Sequence, residues 1–124
     1  MSETTDRCGE VFVIERPWGQ FQQYVSNEAV TVKIITVNPG QRLSLQTHVH
    51  RDEMWHVVDG PLDIVIDDRA WAAQPDEKIW VPRGCRHRIA NSGSEPGRLL
   101  EIAFGNFDED DIERLQDDYA RDVR

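Results

Sequence analysis

What most limits the fold of this chain is its punctuation. Short β-branched or alternating runs are cut again and again by Gly, Pro, Asn and Asp. VFVI (11–14) and FQQYV (21–25) flank a turn that holds Pro17 and Gly19, and VTVKIITV (30–37) stops at Asn38-Pro39-Gly40. RLSLQTHVH (42–50) and MWHVV (54–58), the second closed by Gly60, alternate with period two. LDIVID (62–67) and RAWAA (69–73) meet across Asp67-Asp68, and KIWVP (78–82), HRIAN (87–91) and RLLEIAF (98–104) follow. Such runs are too short for helices, and about ten strands at regular turn spacing predict an all-β sandwich or barrel. One helix is expected, over 108–121. Asp108 caps it, acids crowd its first turn, and Ile112, Leu115 and Tyr119 fall at helical spacing. Residues 1–10 are expected to form a flexible lead-in.

The 124 residues predict a single domain, 1–124, long enough to bury a core without disulfide staples. Cys8 and Cys85 lack a CxxC spacing and are expected to be free thiols. The chain has no apolar run of membrane-spanning length, and its start, MSETTDRCGE, lacks a signal-peptide apolar region, so a cytoplasmic protein without a membrane partner is expected. A formal charge of −9 argues against nucleic acid. That charge is unevenly placed: residues 105–124 hold eight acids and three arginines, whereas acids and bases balance over 33–91, so the middle of the chain can accept a small anion. Barrel edges and an apolar outer sheet face predict a homodimer, with VFVI able to extend a partner's sheet.

The middle also carries the chemistry. Side chains on a strand alternate faces, so Arg42, Ser44, Gln46, His48 and His50 share one face, and Leu43, Leu45, Thr47 and Val49 the other. A tight turn brings Glu53 back beside His48, and VPRGCRHRIAN adds His87. Two imidazoles, a carboxylate and an amide oxygen suit a divalent ion, Zn first, with Mn, Fe, Co and Ni acceptable to the same ligands. The alternative is an exposed polar hairpin with an unrelated His87. His50 shares the ligand face. His56 has the opposite parity to Glu53 and is expected to take an outward or inter-sheet position. Arg42, Arg51 in the turn, Arg86 beside His87, and Lys33 on a facing strand are the cations within reach of an anionic ligand. Trp18, Trp55, Trp71 and Trp80 are assigned to the core.

The spacing of Gly40, Gln46, His48, Glu53 and Gly60 resembles the first cupin motif, and that of Pro82, Gly84, His87 and Asn91 the second; Asp76 stands where the second usually opens with Gly. ERPWG (15–19), VKIITVNPGQRLSLQTHVHRDEMW (32–55), VPRGCRHRIAN (81–91) and DEDDIERLQDDYAR (108–121) resemble, more closely, the cupin domain of type II phosphomannose isomerases. In the bifunctional bacterial enzymes that domain follows a mannose-1-phosphate guanylyltransferase domain. The 124 residues leave no room for one, so nucleotide transfer is not expected.

The resemblance implies a double-stranded β-helix (jelly-roll) barrel with Gln46, His48, Glu53 and His87 as metal ligands. It also implies interconversion of mannose 6-phosphate and fructose 6-phosphate. Arg51, His50 and Lys33 are then the catalytic candidates, and Arg42, Arg51 and Arg86 the residues that hold the sugar phosphate. The chain departs from the family at Val49 and Met54, where histidines are usual, and at Ile34, where arginine is usual. Two other readings stay open: an iron-dependent oxygenase, and a non-catalytic metal-containing cupin that binds a sugar or sugar nucleotide.

Overall fold

The computed structural model describes residues 5–119. After a 3-10 turn at Cys8–Glu10 come eleven strands: β1 (Phe12–Arg16), β2 (Gly19–Gln23), β3 (Val30–Val37), β4 (Leu45–Thr47), β5 (Arg51–Asp59), β6 (Leu62–Ile66), β7 (Arg69–Ala73), β8 (Lys78–Val81), β9 (His87–Ala90), β10 (Gly97–Gly105) and β11 (Glu113–Gln116). They form a four-stranded sheet in the order β3-β10-β5-β8 and a five-stranded sheet in the order β11-β4-β9-β6-β7. The hairpin β1-β2 stands as a sheet of its own.

Period-two alternation explains how the sheets face each other. Along β5, Trp55 and Val57 enter a core with Leu62, Ile64, Ile89 and Leu99 between the two sheets. Met54, on the opposite face, packs with Ile102 and Phe104 under Val11, Tyr24 and Val25. Both faces of β5 are therefore covered, and the seven residues from Arg51 to Val57 are all buried. Full burial of side chains such as Leu62 or Leu99 is worth about 1.5–3 kcal/mol each. The charged residues Arg51 and Glu53 lie in this buried stretch at inward parity, and nothing in apolar packing accounts for them.

Three expectations change. The segment expected to be a helix over 108–121 contains β11, which pairs antiparallel with β4 through Glu113↔Thr47 and Arg114↔Gln46; residues 120–121 lie outside the described residues. Asp108 forms a turn instead of a cap: its carboxylate accepts the Asp110 N–H and its carbonyl that of Asp111, both at 2.9 Å. The free edge of β4 offers a ladder, and the apolar spacing was too sparse to outweigh it: Leu115 and Tyr119 are exposed. The run expected over 42–50 keeps only Leu45–Thr47 as strand, with one bridge at Arg42↔Ala90. Trp18, assigned to the core, is 74% exposed at the hairpin tip, whereas Trp55 is 1% exposed. Cys8 and Cys85 are both free, as expected.

Candidate metal centre

Three strands of two sheets converge on one point. Gln46 on β4 lies opposite His87 at the start of β9. His48 follows β4, and Glu53 enters from β5. His48, Glu53 and His87 are buried, and one ligand atom from each lies within 4.8 Å of the others. His48 Nε2 and Glu53 Oε2 are 3.5 Å apart, close to the spacing of about 3.3–3.8 Å between ligands on a tetrahedral ion at zinc-like bond lengths.

The donor atoms are set for a cation. His48 Nδ1–H donates to the Asp111 carbonyl at 2.7 Å, and His87 Nδ1–H to the Cys85 carbonyl at 3.3 Å. A carbonyl only accepts, so both rings carry their proton on Nδ1 and present a bare Nε2. Burial lowers the pKa of both histidines, that of His87 to about 4, and keeps the rings neutral. For Glu53, burial is the largest influence and acts upward. The charge that His87 and His48 gain only at low pH, with the Arg51 hydrogen bond, outweighs it, and the carboxyl stays below its ordinary value. Two neutral imidazoles and one ionised carboxylate fit a divalent ion. Trp55 Nε1–H fixes the second Glu53 oxygen at 3.0 Å.

Arg51 reaches the same atoms. Its Nε donates to Glu53 Oε2 at 2.9 Å, and its NH2 lies 3.1 Å from His48 Nε2. Its NH1 donates to the Asp108 carbonyl at 3.2 Å, and the guanidinium lies 4.3 Å from the Phe107 ring centroid. Lys33 Nζ lies 3.7 Å from Glu101 Oε2, 3.5 Å from Glu109 Oε1 and 4.6 Å from the Phe107 centroid.

Other expected residues lie elsewhere. Arg42 is paired with Asp118 at 2.6 Å, beside a surface groove of about 530 Å³ that Tyr119 and Gln41 also line and none of the triad does. Arg86 turns to Asp68 at the β6–β7 corner, at 3.2 Å. His50 is exposed in the turn before β5, where its N–H donates to Asp111 Oδ2 at 2.8 Å. His56 points away from the triad, as its parity predicts, and contacts Tyr24 and Asp76. Gln46 is half-buried, and its amide nitrogen donates to Ser44 Oγ at 3.0 Å.

Glu101 was missed. It pairs in register with Lys33 on one side and Trp55 on the other. Only 4% exposed, it lines a cavity of about 20 Å³ with Gln46, Trp55 and His87. Burial, then the charge of Glu53, raises its pKa to about 8. The signal was in the sequence: an acid at inward parity in the apolar run RLLEIAF. The three departures from the family pattern all avoid the triad. Met54 is in the outer core, Ile34 is exposed on the face of β3 opposite Lys33, and Val49 is exposed in the turn.

Two sheets of short antiparallel strands, with a two-histidine, one-carboxylate triad between them, define a cupin-type double-stranded β-helix. Among solved structures, a sugar phosphate isomerase of the cupin superfamily from Silicibacter pomeroyi superposes with a TM-score of 0.55 at 26% identity, covering 62% of this chain and 51% of that one. The chain belongs to the mannose-6-phosphate isomerase C-terminal family, which it matches over residues 4–117. It is 42% identical over 121 residues to the alginate biosynthesis protein AlgA of Pseudomonas aeruginosa (97% of this chain, 24% of that protein). It is 38% identical over 109 residues to the mannose-1-phosphate guanylyltransferase ManC of Salmonella typhimurium (87% and 23%). The chain thus spans about a quarter of the length of these curated relatives.

Proposed function

We propose that this domain is a metal-dependent aldose–ketose isomerase of sugar phosphates that interconverts mannose 6-phosphate and fructose 6-phosphate. The observation that carries the reading is the buried His48–Glu53–His87 triad with a guanidinium, Arg51, on its ligand atoms. In this reading the ion is Zn, and Gln46 adds a neutral fourth ligand through its amide oxygen, because Ser44 already holds its nitrogen. When bound, the ion supplies Lewis-acid polarisation of the sugar carbonyl.

The chain's own groups do the rest. Neutral His48 and His87 keep the centre's charge low, and their Nδ1–H donations fix both rings. Arg51 is close enough to neutralise the negative charge that develops on the opened sugar as a base takes the C2 proton and returns it to C1. Of the two side chains considered as proton carriers, Lys33 is held by carboxylates and His50 lies in an exposed turn. Arg51 is therefore the catalytic residue with the strongest geometric support, and Lys33 is better placed to bind the phosphate. Arg42 and Arg86, paired with distant acids, are not assigned to the substrate. Val49, Met54 and Ile34 point away from the triad and leave this machinery intact.

Among the described residues no helix is long and apolar enough to cross a membrane. The reading places the protein in the cytoplasm as a homodimer, a second copy covering the exposed Phe12, Val13, Trp18 and Phe21 of the β1-β2 hairpin. The test is metal content together with a hexose-phosphate isomerase assay on the purified, Zn-loaded chain. Mannose 6-phosphate should yield fructose 6-phosphate, with some solvent deuterium at C1 when the reaction runs in deuterated water. No turnover by the fully loaded protein on any hexose phosphate removes the isomerase and leaves a sugar-binding cupin. Oxygen uptake with iron and no isomerisation assigns the triad to an oxygenase.

A further inference from the structure

Residues 107–111 pack beside the triad, the Asp111 carbonyl on His48, and their other contacts fall on the groups an anionic ligand needs. The Phe107 ring lies against both Lys33 and Arg51, at 4.6 and 4.3 Å from ring centroid to cation. The Asp108 carbonyl takes Arg51 NH1, and the Glu109 carboxylate takes Lys33 Nζ at 3.5 Å. The cavity beside His87 measures about 20 Å³, room for one water, whereas small-molecule sites measure about 300–1,000 Å³. With the segment in place, Lys33 and Arg51 are already partnered by Phe107, Asp108 and Glu109.

The segment's ends and its middle are held differently. At one end Gly105 has φ +107, and a Cβ there would stand 2.6 Å from the His50 carbonyl, so chain and turn are pressed together. At the other end Asp111 is bound three times: its carboxylate accepts the Val49 and His50 N–H groups at 2.9 and 2.8 Å, and its carbonyl accepts His48 Nδ1–H. Between them Glu109 is 79% exposed at its side chain, and an exposed ion pair is among the weakest interactions in a protein. A phosphate carries more charge than a carboxylate and offers a guanidinium two oxygens at once.

We propose that residues 107–109 form a lid in which Phe107 and Glu109 occupy Lys33 and Arg51, and that the phosphate monoester of the ligand displaces it by taking over these two cations. Glu109 thus acts as an internal competitor for the anion subsite. The proposal rests on the sugar-phosphate reading above, and the two can fail separately.

The experiment is calorimetric titration of the full, metal-loaded chain with inorganic phosphate and with mannose 6-phosphate. Glu109→Gln should bind phosphate about two- to fivefold more tightly, the scale of one exposed ion pair. Asp110→Asn removes the same charge one residue along and should leave the affinity unchanged. Lys33→Met should weaken phosphate binding and abolish the gain from Glu109→Gln in the double variant. Unfolding midpoints confirm that each variant is folded. An unchanged affinity in Glu109→Gln, or an equal gain in Asp110→Asn, overturns the lid, the second by reducing the effect to the general field. If the phosphate gains appear but no variant binds mannose 6-phosphate, the lid stands and the sugar-phosphate reading falls. If Glu109→Gln matches wild type while isomerisation proceeds, the reading stands and the lid falls.

Discussion

Glu53→Gln keeps the shape of the side chain and removes its charge, so its cost can be worked from contacts. In the wild type one carboxylate oxygen accepts Arg51 Nε at 2.9 Å and the other accepts Trp55 Nε1–H at 3.0 Å. The amide has a single oxygen. If that oxygen keeps Trp55, the new NH2 faces Arg51 donor to donor, and a guanidinium only 6% exposed loses its counter-charge. Breaking one partner of a buried ion pair costs about 3–5 kcal/mol. Arg51 keeps His48 Nε2, the Asp108 carbonyl and the Phe107 ring, which lowers the expected loss to about 2–3 kcal/mol. Relief of Glu101 adds little, because with its pKa raised to about 8 it is already largely protonated at neutral pH.

The assay is urea unfolding in chelator, which reads this term without metal, followed by Zn titration. The metal-free variant should lose about 2–3 kcal/mol at an unchanged slope, and the loss of a charged ligand should weaken Zn binding by more than about a hundredfold. Adding Arg51→Met should recover part of the loss, since no unpaired charge then remains. Metal-free stability within about 0.5 kcal/mol of wild type would refute the buried Arg51–Glu53 pair. Unaltered Zn affinity would remove Glu53 from the metal centre.

Four further outcomes are expected. Arg51→Ala should retain Zn but lose about 10²–10³ in kcat on mannose 6-phosphate, the scale of a lost oxyanion-stabilising donor; loss of Zn instead would make Arg51 structural. In metal-free protein, the histidine rings depressed by burial, His87 to about 4 from 6.5, make stability fall as pH drops below 6.5 because the unfolded chain binds their protons first. Glu101, raised from 4.5 to about 8, acts in the opposite sense: the native state keeps a proton the unfolded chain has released, so its contribution is lost as pH rises from 4.5 to 8, and Glu101→Gln should remove that loss when its unfolding curves are compared with wild type. Wild type and Glu101→Gln with the same pH dependence over pH 6.5–8 would contradict the buried carboxyl. Trp18→Ser with Phe21→Ser should give a monomer by light scattering where wild type gives a dimer; a monomeric wild type of about 14 kDa would end the dimer proposal.

The sequence by itself determined what depends on alternation and turn chemistry. VTVKIITV became β3 with its bounds unchanged, and RAWAA became β7, because β-branched residues and the turns beside them act over a few neighbours. The same parity placed His48 with Glu53 and sent His56 to the other face. What followed from chain meeting chain was decided by the tertiary structure alone. Ile112, Leu115 and Tyr119 have helical spacing, yet β11 formed because β4 presented an edge to pair with. Arg42 and Arg86 looked as available to a ligand as Arg51 until the fold set Asp118 and Asp68 beside them. Glu101 was visible as an acid in an apolar strand, but its raised pKa needed burial and Glu53 from β5, and its contact with a cation needed Lys33 from β3. Side-chain periodicity is a property of a few consecutive residues and can be read from them. The charge, solvent and partners around a side chain are set by residues far off in the chain, and only folding brings them near.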